Sequence, residues 1–270
     1  ASRAFPKADM SAPIVSVEEL RRAYRAAVAG QFRGHFPQPA PPARHPVVWT
    51  PGQDEQVVLV VGAMGGAGAS TVALALASRA GDARVVECCT AASSGLAGAS
   101  TAEMGRTSDG WVRGTRDEVL IERRSDRVPS LDAFPAPTST SRPFTVLDVS
   151  VDVDLLVASP GWLGQLTRSS PQVVVVSRPT LPGLRRLEAA TGLLGRDRVH
   201  AVLAAAPRRW LRQLEQHLGP NGRWLRAEDR LADLPNDPRL AVEGITTDAL
   251  PAALLTAVAP LLHSLRGTSQ

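Results

Sequence analysis

The sequence is almost free of lysine, and what it lacks limits the classes of protein that it can represent. Lys7 is the only lysine among 30 basic residues, so nearly every cation is an arginine. Aromatic residues make up 4% of the chain, so we expect a core of valine, leucine and alanine. No apolar run reaches the roughly 18 residues that a membrane-spanning helix needs, and no segment has the pattern of a secretory signal. These absences predict a cytoplasmic protein that has no membrane partner.

Cysteine is also scarce, and the two that occur are adjacent. Cys88 and Cys89 end a strand-like run and match no metal-binding or redox spacing. We interpret them as small buried residues in a reducing compartment. The net charge of +4 is too small to indicate a nucleic-acid partner by itself.

The chain divides into an N-terminal helix, a linker and one large domain. Residues 1–9 precede Met10, contain the single lysine and are predicted to be an expression remnant. In 10–30, Ser16 and Glu19 form a capping-box pattern before an amphipathic helix. Residues 31–56 are rich in proline and predict an extended linker. The domain is predicted over 57–265, and 266–270 form a tail.

Apolar strands alternate with helical patterns throughout the domain. This alternation predicts an α/β fold with a mostly parallel sheet and helices on both faces. The predicted strands are 57–61, 84–89, 118–122, 144–149, 172–177 and 199–205. The predicted helices are about 70–80, 180–194, 208–218 and 250–265. In such sheets ligands bind outside the carboxyl ends of the strands.

A glycine-rich loop follows the first predicted strand, and it admits three interpretations. The spacing of Gly62, Gly66 and Gly68 is that of short-chain dehydrogenases, which use a Tyr-x-x-x-Lys pair. The only tyrosine is Tyr24, upstream of the loop, and the only lysine is Lys7, so that chemistry is excluded. The loop is then either a phosphate-binding loop or a strand-to-helix turn that binds nothing.

The segment from Met64 to Thr71 resembles the deviant Walker A motif of the ParA/MinD family, K-G-G-x-G-K-[ST]-T. The glycines at 65, 66 and 68 match, as do Ser70 and Thr71. "PFTVLDVS" is similar to the Walker B strand of the family, and "LPNDPRLAVEG" is similar to its late P-x-D-p segment. The resemblance covers about residues 57–265 and implies a P-loop NTPase-like fold.

The resemblance also implies which residues would form a site. Gly65, Gly66, Gly68, Ser70 and Thr71 would bind phosphate, Ser70 and Asp148 would hold magnesium, and Asn236 and Asp237 would border the adenine. From the residues alone, Asp148 is equally a turn or cap residue, and Asp237 is an N-cap followed by Pro238.

Three residues that the family uses for catalysis are missing. Met64 and Ala69 occupy the positions of the two lysines that neutralise phosphate charge during transfer. The aspartate after the second strand, which orients water in the family, is absent, and Glu87 is the nearest carboxylate. An arginine from a distant segment or a partner is the remaining source of charge. We therefore expect no catalytic residues, no required cofactor and no fast hydrolysis, with weakly bound ATP or ADP and magnesium as the alternative.

The expected role is that of a binding or scaffolding protein in positioning, partitioning, conjugation or secretion. A protein partner, bound through the N-terminal helix, and a homodimer are the expected assemblies. The alternatives are a weak nucleotide-binding switch, a slow ATPase and a DNA-binding protein. The arginine pairs at 21/22, 123/124, 185/186 and 208/209 mostly have acidic neighbours, so DNA is the less favoured partner. The last helical pattern has no basic face and predicts a core helix rather than a membrane anchor.

Overall fold

The structure is a computed structural model that describes residues 16–29, 49–89, 93–124, 126, 128, 130–137 and 142–267. The predicted expression remnant and the predicted linker up to residue 48 lie outside the described residues, as do residues 268–270 of the predicted tail. The chain comprises two compact units, one with the N-terminal helix and one with the α/β domain.

The first unit contains helix α1, Val17–Val28, which begins at the predicted capping box. The Glu19 N–H donates to the Ser16 hydroxyl over 3.2 Å, and the Ser16 N–H donates to the Glu19 carboxylate over 2.8 Å. These bonds occupy two groups that a helix start leaves without intrahelical partners, and the bonds that the Ser16 N–H and hydroxyl donate to the Glu19 carboxylate lower the pKa of Glu19. The prediction of a capped helix is confirmed.

The second unit is built on a nine-stranded sheet. Its order is β3-β4-β5-β2-β6-β1-β7-β8-β9, with β3, β4 and β5 antiparallel and the other pairs parallel. The strands are β1 (Gln56–Gly62), β2 (Ala83–Cys88), β3 (Ala102–Arg106), β4 (Trp111–Arg116), β5 (Val119–Arg124), β6 (Phe144–Val149), β7 (Val173–Ser177), β8 (Val199–Ala206) and β9 (Leu231–Pro235). The predicted mostly parallel sheet is confirmed.

Helices cover both faces of this sheet. Helices α2 (Ala69–Ala80) and α9 (Ala252–Gly267) pack on one face, in a cluster that includes Val58 and Val60. The other face, with Leu59 and Val61, packs against α3 (Val153–Ala158), α4 (Trp162–Ser169), α5 (Leu181–Leu194) and α7 (Pro220–Ala227). Two short helices, α6 (Arg212–Gln216) and α8 (Pro238–Glu243), and two 3-10 helices, Leu131–Ala133 and Arg196–Arg198, complete the described elements. Among the described residues, no helix is long and apolar enough to cross a membrane.

The long apolar segments were predicted well, and the errors lie in short or polar elements. The prediction missed β3, β4 and β9, and also α3, α4 and α7. Every residue of β3 is exposed, because β3 is an edge strand, so it lacks the apolar alternation that identifies a half-buried strand. The helix predicted over 208–218 is shorter, since α6 covers only Arg212–Gln216.

Residues that precede β1 in the chain already pack against the core of the domain. The ring of Trp49 lies edge-on to Trp162, with centroids 5.5 Å apart. Glu55 pairs with the buried guanidinium of Arg84 over 2.7 Å, and Glu122 pairs with the same group over 3.2 Å. Trp49 and Glu55 therefore contact the core, although the sequence pattern had placed both in the linker.

The central strands fix where the candidate site lies. β1 is hydrogen-bonded to β6 on one side and to β7 on the other, with Val60 opposite Asp148 and Gly62 opposite Val176. The carboxyl ends of these three parallel strands therefore meet at the loop between β1 and α2. This is the edge at which ligands bind in open α/β sheets.

Candidate functional site

A cavity of about 720 Å³ opens at the carboxyl edge of the sheet. Its volume is within the range of about 300–1,000 Å³ that is typical of small-molecule sites. The cavity is lined by the glycine loop from Gly62 to Val72, by the ends of other strands and by parts of α8 and α9. The structure thus brings the predicted phosphate loop and the predicted adenine segment to one cavity.

Two amides of the loop have backbone partners, since the Ala63 N–H donates to the Val176 carbonyl and the Ala67 N–H donates to the Met64 carbonyl. Gly66 and Gly68 have φ angles of +68° and +95°, which residues with a side chain rarely adopt. An added Cβ at Gly65 or Gly66 would meet no atom within 4 Å, so both residues face open space. Helix α2 begins directly after Gly68, and the first N–H groups of a helix have no partner within it. The geometry is that of an anion-binding turn.

The positions of the two missing lysines are apolar in the structure as well as in the sequence. Ala69 is 9% exposed and belongs to the core cluster beneath α2. The side chain of Met64 packs against the same cluster. Neither position places a cation beside the loop amides.

Asp148, the predicted magnesium residue, lies at the end of β6 and is fully buried. Its carboxylate oxygens accept no hydrogen bond from the described residues. Burial raises the pKa of Asp148 to about 7; the nearby Ser70 hydroxyl opposes this increase, and the charge of Glu87 adds to it. Ser70 and Thr71 both line the cavity, with Ser70 between it and Asp148.

Glu87 has a structural role that the sequence did not reveal. It lies opposite Asp148 on the neighbouring strand β2 and is 1% exposed. Its carboxylate accepts hydrogen bonds from the Ser94 hydroxyl and from the N–H groups of Gly95 and Leu96, over 2.7, 2.8 and 2.9 Å. Both oxygens are therefore used to hold the loop that follows β2.

The loop held by Glu87 packs directly on Ser70. A Cβ added at Gly95 would lie 2.4 Å from the Ser70 hydroxyl oxygen, so only glycine fits there without movement. Gly95 also lines the cavity, beside Ser93. The sequence contained no signal for this contact.

The predicted adenine segment forms the far wall of the cavity. Asp237 accepts hydrogen bonds from the N–H groups of Arg239 and Leu240, over 2.9 and 3.0 Å, and so caps α8. The prediction of an N-cap is confirmed. Asn236 is exposed and lines the cavity, with the apolar residues Leu234, Leu240 and Leu254 on the same wall.

Two arginines line the cavity, and the sequence analysis did not assign them to the site. Arg178 directly follows β7, and Arg186 lies in the second turn of α5. Arg178 could have been found from its place after a predicted strand, at the sheet edge where ligands bind. Arg186 had been considered only as part of the arginine pair at 185/186, in weighing DNA as a partner.

The residues of the cavity fit a magnesium ion that arrives with a phosphate chain. Magnesium in such sites usually takes one or two carboxylates together with substrate phosphates and water. Ser70 lines the cavity, and Asp148 lies buried beside Ser70 rather than in the lining, so the hydroxyl and the carboxylate would together supply that donor set. Among the described residues, no group of three or more His, Cys, Asp or Glu side chains could hold a metal ion by itself.

Comparison with known proteins identifies the fold. No protein-family model matches the sequence, and no curated protein matches it. A proposed plasmid partition protein from Borrelia burgdorferi B31 bound to AMPPNP is 10% identical, with a TM-score of 0.53 over 80% of this chain and 100% of that chain. A second Borrelia burgdorferi partition structure is also 10% identical, with a TM-score of 0.51 over 79% and 99%. The ATP complex of a single-residue variant of Cyanothece McdA is 12% identical, with a TM-score of 0.50 over 81% and 99%.

These similarities assign the chain first to the class of α/β proteins with a P-loop NTPase-like fold. Within that class its fold is that of the ParA/MinD family, as the sequence resemblance predicted.

Proposed function

We propose that this protein is a catalytically degenerate ParA/MinD-like protein. It acts as a binding or scaffolding partner in positioning, partitioning, conjugation or secretion. The observation that carries the proposal is the apolar character of positions 64 and 69 within an otherwise intact glycine loop.

Phosphoryl transfer depends on positive charge placed beside the transferred group. Met64 and Ala69 supply none, and both pack against the apolar core. The loop therefore keeps a backbone geometry that can bind an anion, but it lacks the lysines that accelerate phosphoryl transfer.

The position of Glu87 supports the same conclusion. A residue that orients attacking water must have a free acceptor within hydrogen-bonding reach of that water. Both oxygens of Glu87 already accept bonds from the loop at 94–96. Among the described residues at this strand end, Glu87 is thus a structural carboxylate.

A second candidate function is a weak nucleotide-binding switch, and the retained cavity favours it. The neighbouring partition structure and the McdA variant bind AMPPNP and ATP respectively. In this chain Gly65, Gly66 and Gly68 would bind the phosphates and Asn236 would contact the base, while Asp237 caps α8. Magnesium held through Ser70 and Asp148 would neutralise phosphate charge.

The partner is proposed to be a protein bound through α1 and the linker, in the cytoplasm, with a homodimer as the assembly. Helix α1 is a capped twelve-residue helix, and a helix of that length is only marginally stable alone in water. A second surface would stabilise it, and no membrane or DNA surface is required.

The test is phosphate release by the full chain with ATP and magnesium. We expect no turnover above the buffer control, and sustained turnover by the chain alone would overturn the proposal.

Pull-down from native cells, comparing the full chain with one lacking residues 10–48, tests the role of α1. Because the cut after residue 48 leaves Trp49 packed against Trp162, the domain should stay intact. A partner that is lost on truncation would therefore be one that binds the N-terminal helix or the linker.

A further inference from the structure

We propose that Arg178 and Arg186 are the cations that bind the phosphate chain of a nucleoside diphosphate or triphosphate in the cavity. They would replace the two lysines that the loop lacks. The proposal deepens the second candidate function and rests on it, because it states which residues bind the ligand and which chemical class the ligand has.

The backbone at Arg178 is fixed beside the glycine loop. The Ala63 N–H, one residue past β1, donates to the Val176 carbonyl over 2.8 Å, two residues before Arg178. Because β1 and β7 are neighbours in the sheet, Arg178 leaves its strand next to the loop. Its side chain is partly buried and lines the cavity.

The turn between β7 and α5 is tightly packed, and this fixes the position of Arg186. The Ser177 hydroxyl donates to the Gly183 carbonyl over 2.8 Å, and the Gly183 N–H donates to the Thr180 hydroxyl over 3.1 Å. A Cβ at Gly183 would lie 2.2 Å from the Arg178 carbonyl oxygen. Helix α5 therefore starts in one place, and Arg186, an exposed residue in its second turn, lines the cavity from there.

Neither guanidinium is neutralised within the described chain. Arg178 and Arg186 make no ion pair and no side-chain hydrogen bond with any described residue. Other arginines differ: Arg84 is paired with Glu55, and Arg123 is paired with Glu103. The two cavity arginines therefore keep their donors available for a ligand.

The carboxylates that line the cavity are already used by helix starts. Asp152 accepts from the Asp154 N–H over 3.0 Å and caps α3. Asp237 caps α8 in the same way. Each of these caps uses one carboxylate oxygen, and neither Asp152 nor Asp237 forms an ion pair with Arg178 or Arg186, so the described lining retains two unpaired cations.

These features define an anion site with two sides. The amides of the glycine loop and the start of α2 form one side, and the two guanidinium groups form the other. A guanidinium offers several N–H donors in a plane and binds phosphate oxygens in pairs. The opposite wall, with Leu234, Leu240 and Asn236, offers an apolar surface and an amide to a flat ring. A nucleoside with a phosphate chain would contact both the anion site and the apolar wall, whereas free polyphosphate would contact only the anion site.

The experiment is calorimetric titration of the full chain at low salt with ATP, ADP, adenosine and tripolyphosphate. Arg178→Ala and Arg186→Ala are compared singly and together. The matched control is Arg185→Ala, an exposed arginine on α5 that does not line the cavity. We expect the double variant to weaken ATP binding at least tenfold, each single variant about threefold to tenfold, and the control less than twofold. Arg178→Lys should lose less than Arg178→Ala, because the charge remains. Equal thermal midpoints establish that the variants are folded.

Each outcome has a defined consequence. ATP binding by the double variant at wild-type affinity would overturn the proposal, and so would adenosine binding as tightly as ATP. Tripolyphosphate binding as tightly as ATP would overturn the assignment of a nucleoside. If no probe binds the wild-type chain, this inference fails while the scaffold function stands. Brisk phosphate release overturns catalytic degeneracy, whether or not the arginines bind ATP.

Discussion

The ends of β2 and β6 carry two buried carboxylates that differ in nearly everything except position. Glu87 and Asp148 lie opposite each other in neighbouring parallel strands. Glu87 accepts three hydrogen bonds, whereas no described donor meets Asp148 at full hydrogen-bond geometry and only the Ser70 hydroxyl is close enough to lower its pKa. A buried charge with so few partners costs stability. The comparison separates a carboxylate that maintains the fold from one that we propose is used by a ligand.

The largest effect is expected at the carboxylate that has partners. Replacing Glu87 with alanine removes the acceptor of three hydrogen bonds and leaves the buried N–H of Leu96 and the N–H of Gly95 without this partner. We expect the free energy of unfolding to fall by about 3 kcal/mol, measured by urea denaturation. The exposed Glu118 provides the control, since Glu118→Ala should change stability by less than about 0.5 kcal/mol. A loss at Glu87 no larger than that of the control would contradict its structural role.

The loop that Glu87 holds should be sensitive to added volume next to Ser70. Gly95→Ala places a Cβ 2.4 Å from the Ser70 hydroxyl oxygen, and we expect a loss of about 2 kcal/mol from overpacking. Gly65→Ala is the matched control, because its Cβ would meet nothing within 4 Å. Thermal unfolding of both variants measures the difference, and equal midpoints would show that the loop moves away at no cost.

The smallest effect should have the opposite sign. Asp148→Asn removes a buried charge, so we expect a gain of roughly 1 kcal/mol at pH 8. The rise of the pKa from 3.8 to about 7 corresponds to roughly 4 kcal/mol, and the buried asparagine amide, which also lacks partners, offsets most of it. The folded-state pKa of Asp148 is about 7, above its ordinary value of 3.8. The native state therefore binds the proton more tightly, and wild-type stability falls as pH rises from about 4 to 7. Denaturation at several pH values should show the advantage of the variant growing across that range and then becoming constant.

His200 provides an internal check on this pH profile. Burial, with a smaller contribution from the charge of Arg230, lowers the pKa of His200 to about 4 from 6.5. The unfolded state then binds more protons between those values, so stability is lost as pH falls through them. This contribution is present in wild type and in Asp148→Asn, and it cancels in their difference. A difference that does not change between pH 4 and 7 would contradict the raised pKa of Asp148.

Much of the fold could be predicted because its central strands are continuous apolar runs. The segments 144–149 and 172–177 are buried on both faces, and their composition identifies them. Strand β9 ends the sheet and contains Asp233 and Pro235, so its composition does not indicate a strand. Edge elements are determined by the strand beside them, and sequence patterns do not record that neighbour.

The candidate site likewise contains residues that the sequence identifies and residues that only the tertiary structure brings to the cavity. The sequence alone determined the glycine loop, the serine and threonine after it and the absence of lysine at positions 64 and 69, because chain neighbours form a turn and a helix start. Only the tertiary structure decided that Glu87 holds residues 94–96, that Gly95 packs on Ser70, and that Arg178 and Arg186 line the cavity. Strand order and register bring these distant residues together, and they depend on packing across the whole sheet.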